Sequence, residues 1–309
     1  MQCNKSSAFF LHSNGSNGRV RTQPAAGSRA DEPPADAPNS EEIATSFLTF
    51  STISYCDQPI VANWSCDLCP HGGDALTNVT VVNQATGITK LRAYVGARPS
   101  DGAVIVAFRG TVDQDIMNWI KDVGIVETAP WKDLKGVKVH GGFYSSWGTL
   151  RDGVFGAVAQ LAAASGVAEA GPVAVHITGH SLGASMAALA AFELTRSASL
   201  SARAVVGHVY TFGQPRTGNA AFAAAYNASI GTHWRLTHNR DPVPQFPWPA
   251  LGYHHVPQEV FYDEHSTKYV ICDGSGEDPN CQNKNGIANL VPKDHTTYLN
   301  TTTGSGSCH

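Results

Sequence analysis

Apolar positions along this chain follow two rhythms. Short strand-like runs, several of them rich in Val and Ile, at Val79–Asn83, Lys90–Val95, Ala103–Phe108, Val173–Thr178, Val205–Phe212 and His233–Thr237, predict strands. Ala-rich stretches with apolar residues three and four apart, at Ile43–Ile53, Gly148–Ala164, Ala184–Ser197 and Ala220–Ser229, predict helices. Runs such as Ala103–Phe108 are apolar throughout rather than alternating, which is the mark of a strand covered on both faces. Strands alternating with helices therefore predict an α/β fold with a mostly parallel central sheet and helices on both sides. In such folds the chemistry sits at the carboxyl ends of the strands.

Residues 1–42 break this pattern. They are rich in Ser, Asn, Gly, Pro and Ala, cannot build a core, and read as a disordered tail, tag or pro-segment ahead of one domain over 43–309. Ala8-Phe9-Phe10-Leu11 is too short for the apolar core of a secretory signal, so the start reads as processed, truncated or tagged.

Composition narrows the class. The 309 residues are 42% hydrophobic and 15% charged, with a formal net charge of −4. That is too apolar for a disordered chain and not basic enough for a nucleic-acid-binding protein. No stretch approaches the roughly 20 apolar residues of a membrane span. Of seven cysteines, Cys3 stands alone; the other six allow 15 pairings. The spacings favour Cys66–Cys69 and Cys272–Cys281 as local bridges and Cys56–Cys308 between the domain ends. The last would close a very long loop, worth at most about 5 kcal/mol in the chain-entropy model. Half a zinc site at Cys66 and Cys69 is the alternative, but no second close Cys or His pair completes it. Sequons at Asn4, Asn14, Asn63, Asn78, Asn227 and Asn300 fit a secreted glycoprotein.

The chemistry begins at Gly179-His180-Ser181-Leu182-Gly183, a G-x-S-x-G motif between a predicted strand and a predicted helix. A tight, strained turn lifts the Ser181 hydroxyl clear of the backbone, and the following helix N-terminus favours a developing anion. The alternative is a Gly-Ser turn without chemistry, which the flanking strand and helix disfavour. Ser185 reads as a packed helix serine and His180 as a packing or orienting residue. A serine nucleophile needs a base, and the base needs a carboxylate, in the chain order Ser, Asp or Glu, His. Asp241, before Pro242 at a predicted strand end, reads as the acid, and His295 as the base. His254 and His255 compete as bases; Asp294 and Asp263 are fallback acids that also read as solvated loop charges.

The second oxyanion donor should follow an early central strand, which points to Thr111 after Ala103–Phe108, with Leu182 as its partner. Beyond it Ile116, Trp119, Ile120 and Val123 fall at i, i+3, i+4 and i+7, an amphipathic stripe. The common reading is a surface helix packed on the core. Its place directly after the oxyanion loop favours a lid that turns toward a lipid surface. Asp122 could hold the Thr111 hydroxyl or be a solvated helix-end charge.

These residues resemble the fungal class 3 lipases, which include triacylglycerol lipases and feruloyl esterases. The resemblance rests on Tyr55-Cys56, Asn63-Trp64-Ser65-Cys66 with Cys69, Phe108-Arg109-Gly110-Thr111, Asn118-Trp119-Ile120 and His140-Gly141-Gly142-Phe143. It continues through the Ser181 motif, Phe212-Gly213-Gln214-Pro215-Arg216-Thr217-Gly218-Asn219, Asp241-Pro242-Val243-Pro244, Gly252-Tyr253-His254-His255 and Asp294-His295, in family order. It implies an α/β-hydrolase fold, a triad of Ser181, Asp241 and His295, an oxyanion hole at Thr111 and Leu182, a lid around 112–123 and the Cys56–Cys308 bridge. Residues 1–42 lie outside it. Gly179–Leu189 with Asp294-His295-Thr296-Thr297-Tyr298 resembles the feruloyl esterase branch, whereas Asn118-Trp119-Ile120 resembles the lipase lid. The expectation is a secreted serine ester hydrolase that needs no cofactor or metal. It would meet lipid surfaces transiently, bind no nucleic acid and need no obligate protein partner. Triacylglycerol lipase is the first reading, feruloyl or soluble-ester esterase the second, and an inactive hydrolase-fold binding module the third.

Overall fold

In a computed structural model, residues 41–86, 89–112, 125–165 and 171–304 are described. The lid positions Ile116, Trp119, Ile120 and Val123, together with Asp122 and Cys308, lie outside these residues.

The chain opens on helix α1 (Glu41–Ile53), two residues ahead of the expected domain start, and a short α2 (Gln58–Ala62). Strands β1 (Thr77–Thr86), β2 (Thr89–Arg98) and β3 (Ala103–Phe108) follow, then the small β4 (Glu127–Thr128) and β5 (Val139–His140). Helix α3 (Gly141–Ala164) starts seven residues earlier than its apolar rhythm predicts. The Nδ1 of His140 accepts from Phe143 N and caps it, so a histidine supplies the start that a Ser, Thr or Asp search misses. Then come β6 (Val173–His180), α4 (Leu182–Thr195), β7 (Ala204–Phe212), β8 (Gly218–Asn219) and α5 (Ala220–Ser229). The Asn219 side chain caps α5 by accepting from Phe222 N. Strands β9 (Thr232–His238), β10 (Tyr253–His254), β11 (Glu259–Tyr262) and β12 (Tyr269–Ile271) precede the hairpin β13 (Thr297–Tyr298) and β14 (Thr301–Thr302).

Eight strands form the central sheet in the order β1-β2-β3-β6-β7-β9-β11-β12. Its middle, from β3 through β6, β7 and β9 to β11, is parallel, and antiparallel strands close both edges. Side chains of β3 alternate between two cores. Val104, Val106 and Phe108 join the cluster under α3, α4 and α5. Ile105 and Ala107 face the other way, into the cluster with Phe50 and Ile53 of α1. All six β3 residues are buried, which is why the run reads as continuously apolar.

A largely buried carboxylate clamps the segment after residue 125 to this body. Glu193 of α4 accepts from the indoles of Trp131 (3.1 Å) and Trp147 (2.8 Å) and from the Tyr144 hydroxyl (3.0 Å). The two local disulfides, Cys66–Cys69 and Cys272–Cys281, are both formed. Cys56 is buried and disulfide-bonded.

Candidate active site

Three loop regions meet at the carboxyl ends of the parallel strands. The first is the turn from β6 into α4. Ser181 sits there with φ 61° and ψ −128°, a backbone that L-residues seldom adopt and that costs of order 1–3 kcal/mol. Glycines make the turn possible. A Cβ on Gly179 would lie 2.3 Å from Gly183 O, and one on Gly183 would lie 2.2 Å from Phe108 O. Strand, helix and β3 can approach this closely only where side chains are missing. Ser181 N donates to Phe212 O at 3.0 Å, which ties the turn to the end of β7. Leu182 is the first residue of α4, where backbone N–H groups have no acceptor inside the helix.

Asp241 and His295 come from the second and third regions, the loop after β9 and the short 3-10 turn Pro292–Thr296. His295 Nδ1 lies 2.9 Å from Asp241 Oδ2 and 3.0 Å from Oδ1. Asp241 also accepts from Val243 N at 2.8 Å and from the Tyr298 hydroxyl. Burial opposes its charge, but the facing His295 and these donors outweigh it and hold its pKa below the usual carboxylate value. An ionised carboxylate only accepts, so Nδ1 of His295 carries the proton and Nε2 is left as the basic nitrogen. Both Ser181 Oγ and His295 Nε2 are buried and have no hydrogen-bond partner among the described residues. The His295 ring lies 4.4 Å from that of His180, the residue before Ser181, tilted by 33°. A Cβ on Gly213 would lie 2.9 Å from His295 Cε1 and 3.0 Å from Asp241 Oδ2, so Gly213 leaves room for the pair.

The loop after β3 closes the site. A Cβ on Gly110 would lie 3.0 Å from Ser181 Cβ, which sets Gly110 and its neighbour Thr111 against the Ser181 turn. Thr111 Oγ1 is buried and takes no hydrogen bond among the described residues. Asp122, its expected partner, is outside them.

The competing residues are occupied elsewhere. Asp294 Oδ2 accepts from Arg240 N (3.1 Å) and Asn239 Nδ2 (2.9 Å), pinning the His295 turn to the Asp241 loop. Asp263 accepts from the backbone of Thr267 and Lys268. His255 is buried and donates from Nε2 to Pro244 O, and Ser185 accepts from Thr217 Oγ1 inside the core. The three metal-type ligands that converge, Glu259, Cys272 and Cys281, include both halves of a disulfide and so offer no thiolate.

Sequence reasoning passed over four supporting residues. Tyr298 was visible only as part of Asp294-His295-Thr296-Thr297-Tyr298. Gln282 donates to Asp241 O at 2.7 Å from the loop that Cys272–Cys281 closes. Arg216, 1% exposed, donates to Pro244 O and Gln245 O beyond Asp241 and pairs with Glu277 at 2.8 Å. Tyr55 binds both Gly110 N and His180. Tyr55, Arg216 and Tyr298 stand inside motifs that carry the family resemblance, yet the roles of all four were not legible, because each partner is distant in sequence.

Comparison with known proteins bears on the family and the fold. The family model "Lipase (class 3)" matches residues 105–250. A lipase of Rhizomucor miehei is 33% identical over 279 residues, covering 87% of this chain and 71% of that protein. The secreted mono- and diacylglycerol lipase A of Penicillium cyclopium is 36% identical over 174 residues, 56% of this chain and about half (52%) of its own length. Among solved structures, a triacylglycerol lipase described as having a serine-protease triad superposes with TM-score 0.72 at 29% identity, covering 87% of this chain and 97% of that one. Lipase II from Rhizopus niveus superposes with TM-score 0.73 at 26% identity, covering 85% and 96%. With an α/β-hydrolase fold and relatives across several fungi, the chain belongs to the fungal class 3 lipase family and is a carboxylic-ester hydrolase of triacylglycerol lipase type.

Proposed function

We propose that Ser181, His295 and Asp241 are the catalytic triad of this lipase, with the backbone N–H groups of Thr111 and Leu182 as its oxyanion hole. The observation that carries the reading is the 2.9 Å contact between His295 Nδ1 and a buried Asp241, behind a strained serine turn. His295 Nε2 takes the Ser181 proton as Oγ attacks an ester carbonyl. Asp241 holds the ring's orientation and stabilises the imidazolium. Charge develops on the carbonyl oxygen beside the start of α4, where oriented N–H groups stabilise it without reorganising. The alcohol departs with the proton from His295, and water then releases the acyl group by the same steps. Catalytic hydrogen bonds that are long in the free enzyme tighten when substrate binds, which fits the unpartnered Ser181 Oγ and His295 Nε2.

Acylglycerols at a lipid–water interface are the substrates favoured. Val112 (43% exposed), Ile125 (55%), Val126 (74%) and Leu251 (41%) present apolar side chains. Val112 follows the oxyanion loop, and Tyr253, two residues after Leu251, donates its hydroxyl to Ile125 O at 3.2 Å. Segment 112–123 between them would act as the lid. Secretion is the companion reading, supported by two formed disulfides and exposed sequon residues at Asn63, Asn78, Asn227 and Asn300. Among the described residues no helix is long and apolar enough to cross a membrane.

The test is turnover of tributyrin across its solubility limit beside methyl ferulate, for the parent and Ser181→Ala. A rise in rate above the limit, weak ferulate cleavage and a fall of about 10⁶ in kcat for Ser181→Ala are expected. Hyperbolic kinetics with strong ferulate cleavage would select the esterase. Near-parental rates in Ser181→Ala would remove the triad.

A further inference from the structure

A chain of four groups runs beneath the proposed site, and its hydrogen-bond directions have only one solution. His180 Nε2 lies 2.7 Å from the carbonyl oxygen of His295, which can only accept, so Nε2 carries a proton. His180 is 2% exposed; burial, then the neighbouring His295, lower its pKa to about 3, so it is neutral and its Nδ1 is an acceptor. The group facing Nδ1 at 2.9 Å is the Tyr55 hydroxyl, which must donate. That leaves the Tyr55 oxygen to accept from Gly110 N at 3.1 Å. Every proton is assigned, and no link can reverse without breaking another.

We propose that Tyr55 and His180 are positioning residues that set the oxyanion loop and the base in register about the nucleophile. Tyr55 lies just after α1, far in sequence from the segments it joins. One end of the chain fixes Gly110, next to Thr111; the other fixes the main chain of His295. Ser181 is covalently next to His180, and its Cβ lies 3.0 Å from where a Cβ on Gly110 would fall. The register is tight, since a Cβ on Gly110 would fall 2.3 Å from Tyr55 Oη and 2.6 Å from His180 O. His180 also serves by staying uncharged. Its ring is 4.4 Å from that of His295, and a second cation there would oppose the imidazolium that forms when Ser181 gives up its proton.

This inference rests on the triad reading but is read out separately from it. Tyr55→Phe keeps the ring and removes both bonds of the hydroxyl. On p-nitrophenyl butyrate, kept below its solubility limit, kcat should fall about 10- to 100-fold while KM stays within about twofold. Parental kcat in a folded Tyr55→Phe enzyme overturns the proposal. Should that variant not fold, His180→Gln and His180→Leu decide. The Gln amide can still donate to His295 O, so it should keep at least about tenfold more kcat than Leu; equal rates overturn the proposal. Amide hydrogen exchange in Tyr55→Phe, or in His180→Leu, needs no turnover. Peptides covering 105–112 and 292–299 should lose protection together, whereas loss in only one, or in neither, refutes the coupling. Ser181→Ala, which should abolish turnover and leave this exchange unchanged, keeps a failure of the triad apart from a failure of the relay.

Discussion

The Tyr298 hydroxyl donates to Asp241 Oδ2, the same oxygen that His295 Nδ1 approaches at 2.9 Å. The carboxylate is thereby held on three sides, by Tyr298, His295 and the backbone of Val243. Hydrogen bonds to a charged group are worth about 1.5–3 kcal/mol. Tyr298→Phe should therefore lower kcat/KM by about tenfold, with an intact far-ultraviolet spectrum. An unchanged kcat/KM would show that Val243 N and His295 suffice.

Two aspartates compete for the acid's role, and their contacts separate them. Asp241→Asn should lower kcat by about 10⁴, as loss of the orienting carboxylate does in serine proteases. Asp294→Asn keeps an acceptor for Arg240 N and should cost about tenfold or less. Steady-state kinetics on a soluble ester checks both, and equal losses would make the assignment wrong.

The Cys272–Cys281 bridge closes the loop that brings Gln282 to the Asp241 carbonyl. Replacing both cysteines with serine should destabilise the protein by about 2–3 kcal/mol on chain entropy. It should also lower kcat, because the acid loop loses a fixed neighbour. Urea unfolding and turnover, measured on one preparation, test the pair of effects.

Glu193 offers the two oxygens that three donors share. Glu193→Ala would leave the Trp131, Trp147 and Tyr144 donors unsatisfied in a mostly buried site, at a cost of about 3 kcal/mol or more. Glu193→Gln, which keeps one acceptor oxygen, should cost less. Thermal midpoints order the three proteins.

Acid should destabilise the fold earlier than its carboxylates alone would. Burial first lowers the pKa of His176 to about 4 and of His180 and His233 to about 3, and carries His255 well below its normal value. Each is neutral when folded and binds a proton on unfolding below about pH 6.5. Stability is complete above that pH and falls as pH drops toward 4. The expected uptake is three to four protons on unfolding near pH 5, read as the slope of unfolding free energy against pH. A flat profile between pH 6.5 and 4 would contradict these burial effects.

The α/β architecture was legible because a sheet covered on both faces demands apolar runs, and β3, β6 and β7 supply them. The strained Ser181 turn was legible because its glycines are required by backbone contact, a constraint that leaves a fixed local spelling. The four-residue strand β11, the edge strand β12 beside it and the early start of α3 were not. Val270 and Ile271 are exposed at the sheet edge, and a histidine caps α3, so neither follows the usual rhythm.

For the site, chain order and local context selected Ser181, Asp241 and His295 from the sequence. Only the tertiary structure decided what supports them. Tyr298, Asp294, Gln282, Arg216, and the relay from Gly110 through Tyr55 and His180 to His295, join segments that the chain alone never places side by side. A backbone constraint is written into neighbouring residues. A hydrogen bond between distant side chains is specified only once the folded sheet has brought its strand ends together and excluded water from between them.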